Sequence, residues 1–214
     1  MDAPTPITHH AHDAGLSAPL DLINTLELTD GQPDDHLATV RAAVDFLVGH
    51  GLAHEEDLRS QAGREGDDWL GRIHVARAAL RELWDAQVEG RMPNPRALRT
   101  LNAILDRGPR LELRATLAGV EVAHRHRTED PTGEALARAA TPLVEAISAG
   151  ESARFRICAN DGCRWVFEDT SRAGHRRWCD MSTCGNRAKV RRFRSRRRGA
   201  DGEVAEAGPT PADA

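Results

Sequence analysis

The four cysteines of the chain constrain its fold more than any other feature. They lie near the C-terminal end, as Cys158, Cys163, Cys179 and Cys184. Four residues separate the members of each pair, and fifteen residues separate the two pairs. Two close pairs on tight turns are a common ligand set for a tetrahedral structural zinc ion, with about two to four residues inside each pair. The spacing therefore predicts one zinc ion that holds a small C-terminal module together.

Three other roles for the cysteines are plain core residues, redox-active thiols and two disulfides. The composition is not that of a disulfide-dense secreted protein, and no charged and then apolar leader opens the chain, so disulfides are disfavoured. Four thiolates fill a tetrahedral zinc ion and leave no position for water. Because a glycine-rich phosphate loop, a nucleophile elbow and an HExxH motif are also missing from the sequence, the prediction is that the chain is not an enzyme.

Two short stretches around the first cysteine pair predict a β-hairpin. Residues 154–157 and 164–167 alternate or run apolar, as short strands do. Asn-Asp-Gly at 160–162 is typical of a turn. We therefore expect Cys158 and Cys163 at the tip of this hairpin.

The segment around the last cysteine favours a helix. It covers residues 185–193, and Ser182 or Thr183 is placed to cap its first turn. Cys184 would lie in that turn, where the helix dipole favours a thiolate. A hairpin followed by a helix predicts a treble-clef-like zinc finger.

Several tracts of this region resemble the CGNR zinc finger family. In chain order they are the Cys158–Cys163 pair, residues 167–172 (Phe-Glu-Asp-Thr-Ser-Arg), residues 177–179 (Arg-Trp-Cys) and residues 184–187 (Cys-Gly-Asn-Arg), the tetrapeptide that names the family. The resemblance covers roughly 40 residues, the size of one small metal module. It implies a structural zinc ion in a protein that regulates transcription by binding DNA.

The beginning of the chain is similar to the ABATE domain family, which commonly precedes the CGNR finger. The similarity lies in Leu16–Leu28, where Leu20, Ile23 and Leu26 are spaced for one helical face. It implies a mainly helical N-terminal domain that is proposed to regulate transcription under stress. Asp21 and Asn24 stand among these apolar residues. They are expected to be a cap or a hydrogen-bonded core pair rather than the lining of a ligand cleft.

Apolar residues at helical spacing predict the other helices of the body. They cover residues 36–48, 55–61, 67–88, 95–108 and 133–148. Asp34 or Asp35 is placed to cap the helix over 36–48, and Pro95 suits the first turn of another helix. Pro142 predicts a kink or a break in the last helix.

A second β-hairpin and two buried tryptophans are also predicted in the body. Residues 111–113 and 120–122 alternate with period two around a turn at 117–119. Trp69 and Trp84 lie on the longest predicted helix, and we expect both in the core or at an interface.

The fold class that follows is mainly α with a small β-hairpin. The predicted segments are a disordered leader (1–15), a helical ABATE-like domain (16–150), the zinc finger (151–198) and a disordered acidic tail (199–214). The finger is treble-clef-like and follows the helical domain.

Charge is divided unevenly along the chain, whose formal net charge is −4. Residues 1–150 carry 15 basic and 24 acidic side chains, whereas residues 151–198 carry 14 basic and 5 acidic ones. Residues 199–214 add four acids and no base. An acidic body that carries one basic module indicates a module that binds a polyanion.

The predicted C-terminal helix presents two basic flanks with Val190 and Phe193 between them. Side chains expected to neutralise phosphates are Arg176, Arg177, Lys189, Arg192 and Arg196. Side chains placed to contact base edges are Arg187, Arg191 and Arg194. Asn186 suits either an adenine contact or a hydrogen bond that holds the zinc turn. A solvated basic tail is the alternative for the last arginines.

The leading prediction is a zinc-dependent, DNA-binding transcriptional regulator whose N-terminal domain senses a ligand or mediates oligomerisation. Two alternatives are an RNA-binding zinc protein and a protein-interaction module with structural zinc. Redox switching through the zinc site stays open as well. The oligomeric state and the identity of any small-molecule ligand are open at this point.

No apolar run reaches the roughly 18 residues that a membrane span needs. With no leader either, the sequence favours a cytoplasmic location.

Overall fold

The computed structural model of the protein describes residues 15–29, 31–125 and 129–194. The predicted leader, apart from its last residue, and the predicted acidic tail therefore lie outside the described residues. The same holds for Arg196, one of the predicted phosphate contacts.

Helices form most of the body. They are α1 (Ser17–Asn24), α2 (Val40–Gly49), α3 (Glu55–Glu65), α4 (Asp67–Glu89), α5 (Pro95–Leu105) and α6 (Pro131–Ser148). Two antiparallel hairpins interrupt them, β1–β2 (Leu26–Thr29 and Gln32–Asp35) and β3–β4 (Arg110–Thr116 and Gly119–Arg125). The prediction of a mainly α fold with a small hairpin at 111–122 is confirmed.

The core forms around α4, whose apolar residues recur every three or four positions. Trp69, Ile73 and Leu80 are buried along one side of this helix. Trp84 is fully buried as well, so the predicted placement of both tryptophans is confirmed. Trp69 also donates its indole N–H to the hydroxyl of Thr132 in α6, at 2.7 Å, which satisfies the one polar atom that this ring buries.

The start of α2 differs from its prediction. Thr39 caps the helix by accepting a hydrogen bond from the Ala42 N–H at 3.2 Å, so the predicted start at residue 36 and the predicted aspartate cap are wrong. Asp35 instead accepts two hydrogen bonds from Arg77 of α4, at 2.6 and 2.7 Å. This pair joins the β1–β2 hairpin to the core helix.

The first helix ends earlier than its apolar spacing suggests. Its last residue is Asn24, after which the Thr25 hydroxyl donates to the carbonyl of Leu22 at 2.7 Å. Leu26, expected on the helical face, lies in β1 and is exposed. The β1–β2 hairpin was not predicted because its second strand, with the sequence Gln-Pro-Asp-Asp, carries none of the β-branched or aromatic residues typical of strands.

Helix α6 runs unbroken through Pro142, so the predicted break is wrong, whereas the alternative of a kink stays a prediction. Proline has no N–H, and the preceding turn is supported by the Thr141 hydroxyl, which donates to the carbonyl of Ala137 at 2.8 Å. Ala140 and Leu143 are buried on either side of Pro142, so tertiary packing keeps the helix intact at the proline.

The C-terminal module has the predicted order of hairpin and then helix. A short 3-10 turn (Glu151–Arg154) leads into β5 (Phe155–Ile157), which pairs antiparallel with β6 (Val166–Glu168). A single π turn (Met181–Gly185) then opens a helix over 186–194, here called α7.

The β5–β6 hairpin belongs to the core of the body. Phe155 and Val166 are buried in the same apolar cluster as the helices. The ring of Phe155 stacks on Trp84, with 4.0 Å between centroids and 12° between planes. Trp84 also donates its indole N–H to the carbonyl of Arg156 at 3.1 Å. The main core therefore crosses the chain boundary near residue 150, and a smaller apolar cluster around Phe167 and the cysteines lies within the finger.

Candidate metal centre and nucleic-acid interface

The four cysteine sulfurs converge at one point. All of them lie within 4.8 Å of one another. Cys179 is 3.8 Å from Cys163 and 3.7 Å from Cys184, measured between sulfurs. A tetrahedral zinc ion with Zn–S bonds of about 2.3 Å places its sulfurs about 3.8 Å apart. The donor type, the donor number and the spacing therefore all fit zinc, and the sulfurs are too far apart to be disulfide-bonded.

The electrostatics of the cluster favour a divalent cation. Without one, the hydrogen bond from the Cys163 thiol lowers the pKa of Cys158, whereas contact with Cys158 raises the pKa of Cys163 and of Cys179. Sulfurs this close together accept one negative charge and oppose a second. Four thiolates therefore need the positive charge of a metal ion.

The first cysteine pair lies at the tip of the β5–β6 hairpin, as predicted. Its turn is closed by the carbonyl of Asn160, which accepts from the N–H groups of Cys163 and Arg164 at 2.8 and 3.1 Å. The N–H of Cys158 donates to the carbonyl of Trp165 at 2.8 Å and continues the strand pairing. Arg164 has a φ of 54°, in the left-handed region, because the chain must reverse at this point.

The side chain of Asn160 links the metal centre to the basic helix. Its amide nitrogen donates to the sulfur of Cys184 at 3.6 Å, and its amide oxygen accepts from the guanidinium of Arg191 at 3.2 Å. The residue is buried although it lies in a turn. Our sequence analysis assigned it to the turn alone. The signal for this second role is in the sequence: an amide side chain stands between Cys158 and Cys163, where it is able to donate to a ligand sulfur.

The last ligand is positioned by the turn before α7. Asp180, rather than the predicted Ser182 or Thr183, caps that turn, and its carboxylate accepts from the Thr183 N–H at 2.8 Å. Ser182 and Thr183 instead donate their hydroxyl groups to the same carboxylate, at 2.5 and 3.0 Å. Cys184 therefore lies in a capped turn, where the N–H groups and the helix dipole stabilise a thiolate.

Gly185 is packed closely by side chains. A Cβ atom at this position would lie 2.9 Å from the Met181 sulfur and 3.5 Å from the Trp178 ring. A larger residue at position 185 would therefore require the Met181 side chain to move.

The loop between the cysteine pairs is organised by a buried aspartate. Asp169 accepts hydrogen bonds from the N–H and hydroxyl of Ser171 and from the N–H of Arg176. Burial opposes its charge, but these donors together hold the pKa of Asp169 below its ordinary value. The Arg176 guanidinium lies 5.0 Å from the Phe167 ring centroid and donates to the carbonyls of Trp178 and Cys179. Arg176 is thus engaged inside the finger.

Most residues predicted to contact nucleic acid lie exposed on the finger. They are Arg177, Asn186, Arg187, Lys189, Arg191, Arg192 and Arg194. Asn186 donates its amide to the carbonyl of Ser182 at 2.9 Å, which is the turn-holding contact considered in the sequence analysis. Val190 and Phe193 are also exposed, between the basic positions of α7.

Two family models match the chain over nearly all of the described residues. The ABATE model, described as "Putative stress-induced transcription regulator", matches residues 16–150, which is more than half of the chain. The chain belongs to the ABATE family. The CGNR zinc finger model matches residues 154–197. A comparison with curated proteins finds no match. Both resemblances inferred from the sequence are confirmed.

The CGNR match and the sulfur geometry together assign one structural zinc ion to this protein. Its ligands are Cys158, Cys163, Cys179 and Cys184. Bound there, the ion supplies the positive charge that four neighbouring thiolates require.

In addition to the shared core and the Trp84–Arg156 hydrogen bond, α1 and β1 of the ABATE domain contact the CGNR finger through polar side chains. The Asn24 amide exchanges two hydrogen bonds, both 3.0 Å, with the main-chain N–H and C=O of Val166. The Trp165 indole donates to Glu27 of β1 at 2.9 Å. The prediction of a hydrogen-bonded core residue at Asn24 is confirmed, and its partner is a strand of the finger.

A second group of possible metal ligands lies beside this contact. Glu27, Asp34 and His36 place their donor atoms within 4.8 Å of one another. The two oxygens of Glu27 already contact His36, at 3.0 Å, and Trp165. These hydrogen bonds explain the position of Glu27, because its carboxylate holds the Trp165 indole in place.

The ABATE domain also contains a cleft of about 540 Å³, lined in part by His54, Glu134 and Arg138. Arg138 donates to the carbonyl of Leu52 across the cleft wall, at 3.0 Å. Among the helices that the structure describes, none combines the length and apolarity needed to cross a membrane.

Proposed function

We propose that this protein is a DNA-binding transcriptional regulator in which α7 of the CGNR finger contacts duplex DNA. The observation that carries the proposal is the row of exposed basic side chains on a helix anchored to the zinc ligands, in a chain whose body is acidic. A polyanion is the natural partner of such a surface. The family description of ABATE, a regulator of transcription, supports the same conclusion.

The basic side chains divide into two roles in this proposal. Arg177, Lys189 and Arg192 neutralise phosphates, which gives affinity without sequence information. Arg187 and Arg194 contact base edges, where a guanidinium pairs with guanine through two donors. The nine residues of α7 extend about 14 Å, long enough to enter one major groove.

Arg191 has a different role because Asn160 accepts from its guanidinium. It fixes the rotation of α7 about its axis relative to the zinc ligands. That rotation decides which side chains face the groove.

The zinc ion has a structural role in this proposal, and the protein is not an enzyme. Four sulfur ligands complete a tetrahedral zinc ion, and no position remains for an activated water. The metal instead fixes the hairpin and the start of α7, so that the basic side chains are held in one orientation before DNA arrives.

The ABATE domain supplies the regulatory input in this proposal. Its contacts are with Trp165 and Val166, which closely follow Cys163 in the chain. A small molecule in the cleft between the α2–α3 loop and α6 would act on α6, which packs against α1, the helix that carries Asn24.

A fluorescence anisotropy titration of the zinc-loaded full chain with random-sequence duplex DNA tests the proposal. The affinity should fall steeply between low and moderate salt, because binding releases counterions. Arg187→Ala should weaken binding about tenfold, and Lys189→Gln should lower the salt slope by about one.

Arg172→Ala is the matched control, since Arg172 is an exposed arginine of the same module outside α7. Arg172→Ala should leave the affinity for duplex DNA within about threefold of the wild-type value. Absence of duplex binding at low salt, or equal losses for Arg172→Ala and Arg187→Ala, would contradict the proposal. Tighter binding to a structured RNA competitor would make RNA the ligand.

A further inference from the structure

The β3–β4 hairpin exposes an apolar stripe that the described part of the chain leaves uncovered. Leu113, Val120 and Val122 are 74%, 75% and 59% exposed, and Leu117 in the turn is fully exposed. Isolated exposed apolar residues are ordinary, but four on one short hairpin are a surface patch that calls for a partner.

These side chains share one face of the hairpin. Leu113 is directly opposite Val122, and Ala115 is directly opposite Val120. Positions two apart on a strand project to the same side, so both pairs form one stripe. The opposite face holds charged residues, with Arg114 across from Glu121.

The outer edge of β3 offers main-chain hydrogen-bonding groups. In the part of the chain that the structure describes, β3 and β4 pair only with each other. Thr116 and Gly119 flank a two-residue loop, so the N–H and C=O of Thr116 point toward β4. The main-chain groups of Leu111, Leu113 and Ala115 therefore point away from β4 and are available to another strand.

We propose that two copies of this chain associate through the β3 edge, as an antiparallel pair about a two-fold axis at Leu113. Leu113 then lies opposite Leu113 of the second copy. Glu112 of each copy lies opposite Arg114 of the other, in a position without main-chain hydrogen bonds, where side chains approach most closely. The edge of this strand is thus complementary to itself in charge, and on association Glu112 and Arg114 exchange their contact within one chain, 3.0 Å long, for the same contact across the axis.

The charges select this register over its neighbours. An axis at Glu112 would place Glu112 opposite its own copy and Arg110 opposite Arg114. An axis at Arg114 would place two copies of Arg114 opposite each other. Like charges directly opposite each other destabilise a strand pair. An axis between two residues would put Leu113 on the same face as charged residues, against the alternation of the strand.

The association stabilises a hairpin that is marginal by itself. A two-stranded ribbon is barely stable in water, whereas a sheet of three or more strands can be stable by itself. The two stripes become one continuous apolar face in the dimer, and the edge of Leu113 is the part that association covers. In the dimer each Leu113 lies between Val122 of its own chain and the second copy's Leu113. The inference does not depend on the proposed function, because it involves no residue of the finger.

Sedimentation velocity of the zinc-loaded full chain, over a range of concentrations, tests the proposal. The wild-type chain should form a dimer. Glu112→Arg and Arg114→Glu should each weaken the dimer at least tenfold, because each places two like-charged pairs across the axis. The triple variant E112R/R114E/E121R should restore the wild-type affinity to within about threefold, since it exchanges the two charges and keeps position 114 opposite an unlike charge at position 121 of its own hairpin.

Arg110→Glu is the matched control, because in this register Arg110 lies opposite Thr116, which has no charge. It should leave dimer affinity within about threefold of the wild type. Circular dichroism of each variant shows that the helical body is folded. A wild-type chain that stays monomeric, a dimer that survives E112R, or a triple variant as weak as either single variant overturns the proposal.

Discussion

Asn160 is the residue at which the metal centre and the basic helix meet. Its amide donates to the sulfur of Cys184 and accepts from Arg191, while its carbonyl closes the first cysteine turn. Hydrogen bonds to a ligand sulfur stabilise the thiolate and fix its direction. One side chain therefore affects both how tightly zinc binds and how α7 is oriented.

Replacing Asn160 by alanine should weaken zinc binding about tenfold, because a ligand thiolate loses a donor. Competition with a chromophoric chelator measures this affinity. Asp161→Ala, at the exposed neighbouring position, is the control and should leave zinc affinity unchanged. Equal affinities for the wild-type and Asn160→Ala proteins would show that the amide does not stabilise the site.

At the scale of secondary structure, the start of α6 depends on one carboxylate. Asp130 accepts from the Gly133 N–H at 2.9 Å and contacts Arg72 of α4 and Gln61 of α3. Burial opposes its ionisation, but the Arg72 and Gln61 hydrogen bonds more than offset this and lower the pKa of Asp130 to about 2. One residue thus caps α6 and joins it to two other helices.

The stabilisation by Asp130 should depend on pH in a defined direction. An unfolded aspartate has a pKa of about 3.9, so the ionised side chain stabilises the fold above that pH. The contribution is lost as pH falls from about 4 to about 2, where the folded state takes up the proton as well. Asp130→Asn, which keeps the cap acceptor, should cost about 1.5 kcal/mol at neutral pH and almost nothing near pH 2.

Urea unfolding of both proteins at several pH values measures this difference. Asp45→Asn, at an exposed position of α2, is the control and should stay within about 0.5 kcal/mol of the wild type throughout. A difference for Asp130→Asn that stays constant from neutral pH to pH 2 would contradict the assignment.

The sequence predicts those elements whose cause is local. Helices α4 and α5 follow from apolar periodicity and from Pro95, and the ligand set follows from the spacing of the cysteines. The elements it missed depend on distant partners. Asn24 contacts a strand 142 residues away, and Asp35 contacts Arg77 rather than capping α2. A local sequence pattern does not contain such contacts. The sequence therefore could not predict the β1–β2 hairpin or the packing of the finger against the body.

At the scale of the whole molecule, the zinc ion should stabilise the helical body as well as the finger. Phe155 and Val166 belong to the body's core, and they are held in place by the hairpin that the metal closes. Removal of zinc should therefore expose the stack on Trp84 and cost the body about 4 kcal/mol of burial. The zinc ion therefore stabilises a core that the finger and the body share.

Chelation at neutral pH should thus lower the melting temperature of the helical signal by roughly 10 °C. Circular dichroism during heating, with and without chelator, measures the change. Adding zinc back should restore the original value, which controls for irreversible damage. A helical transition that is the same with and without the metal would show that the two parts are energetically independent.

The shared core also limits whether this finger can be transferred to another protein. Many small metal modules can be transplanted between proteins as cassettes, because they bury their own apolar surface. Here, two strand residues of the finger, Phe155 and Val166, are buried against α1 and α4 of the ABATE domain. Grafted alone onto a different protein, the finger would expose these two side chains to water, so a stable chimera also needs α1 and α4 of the ABATE domain.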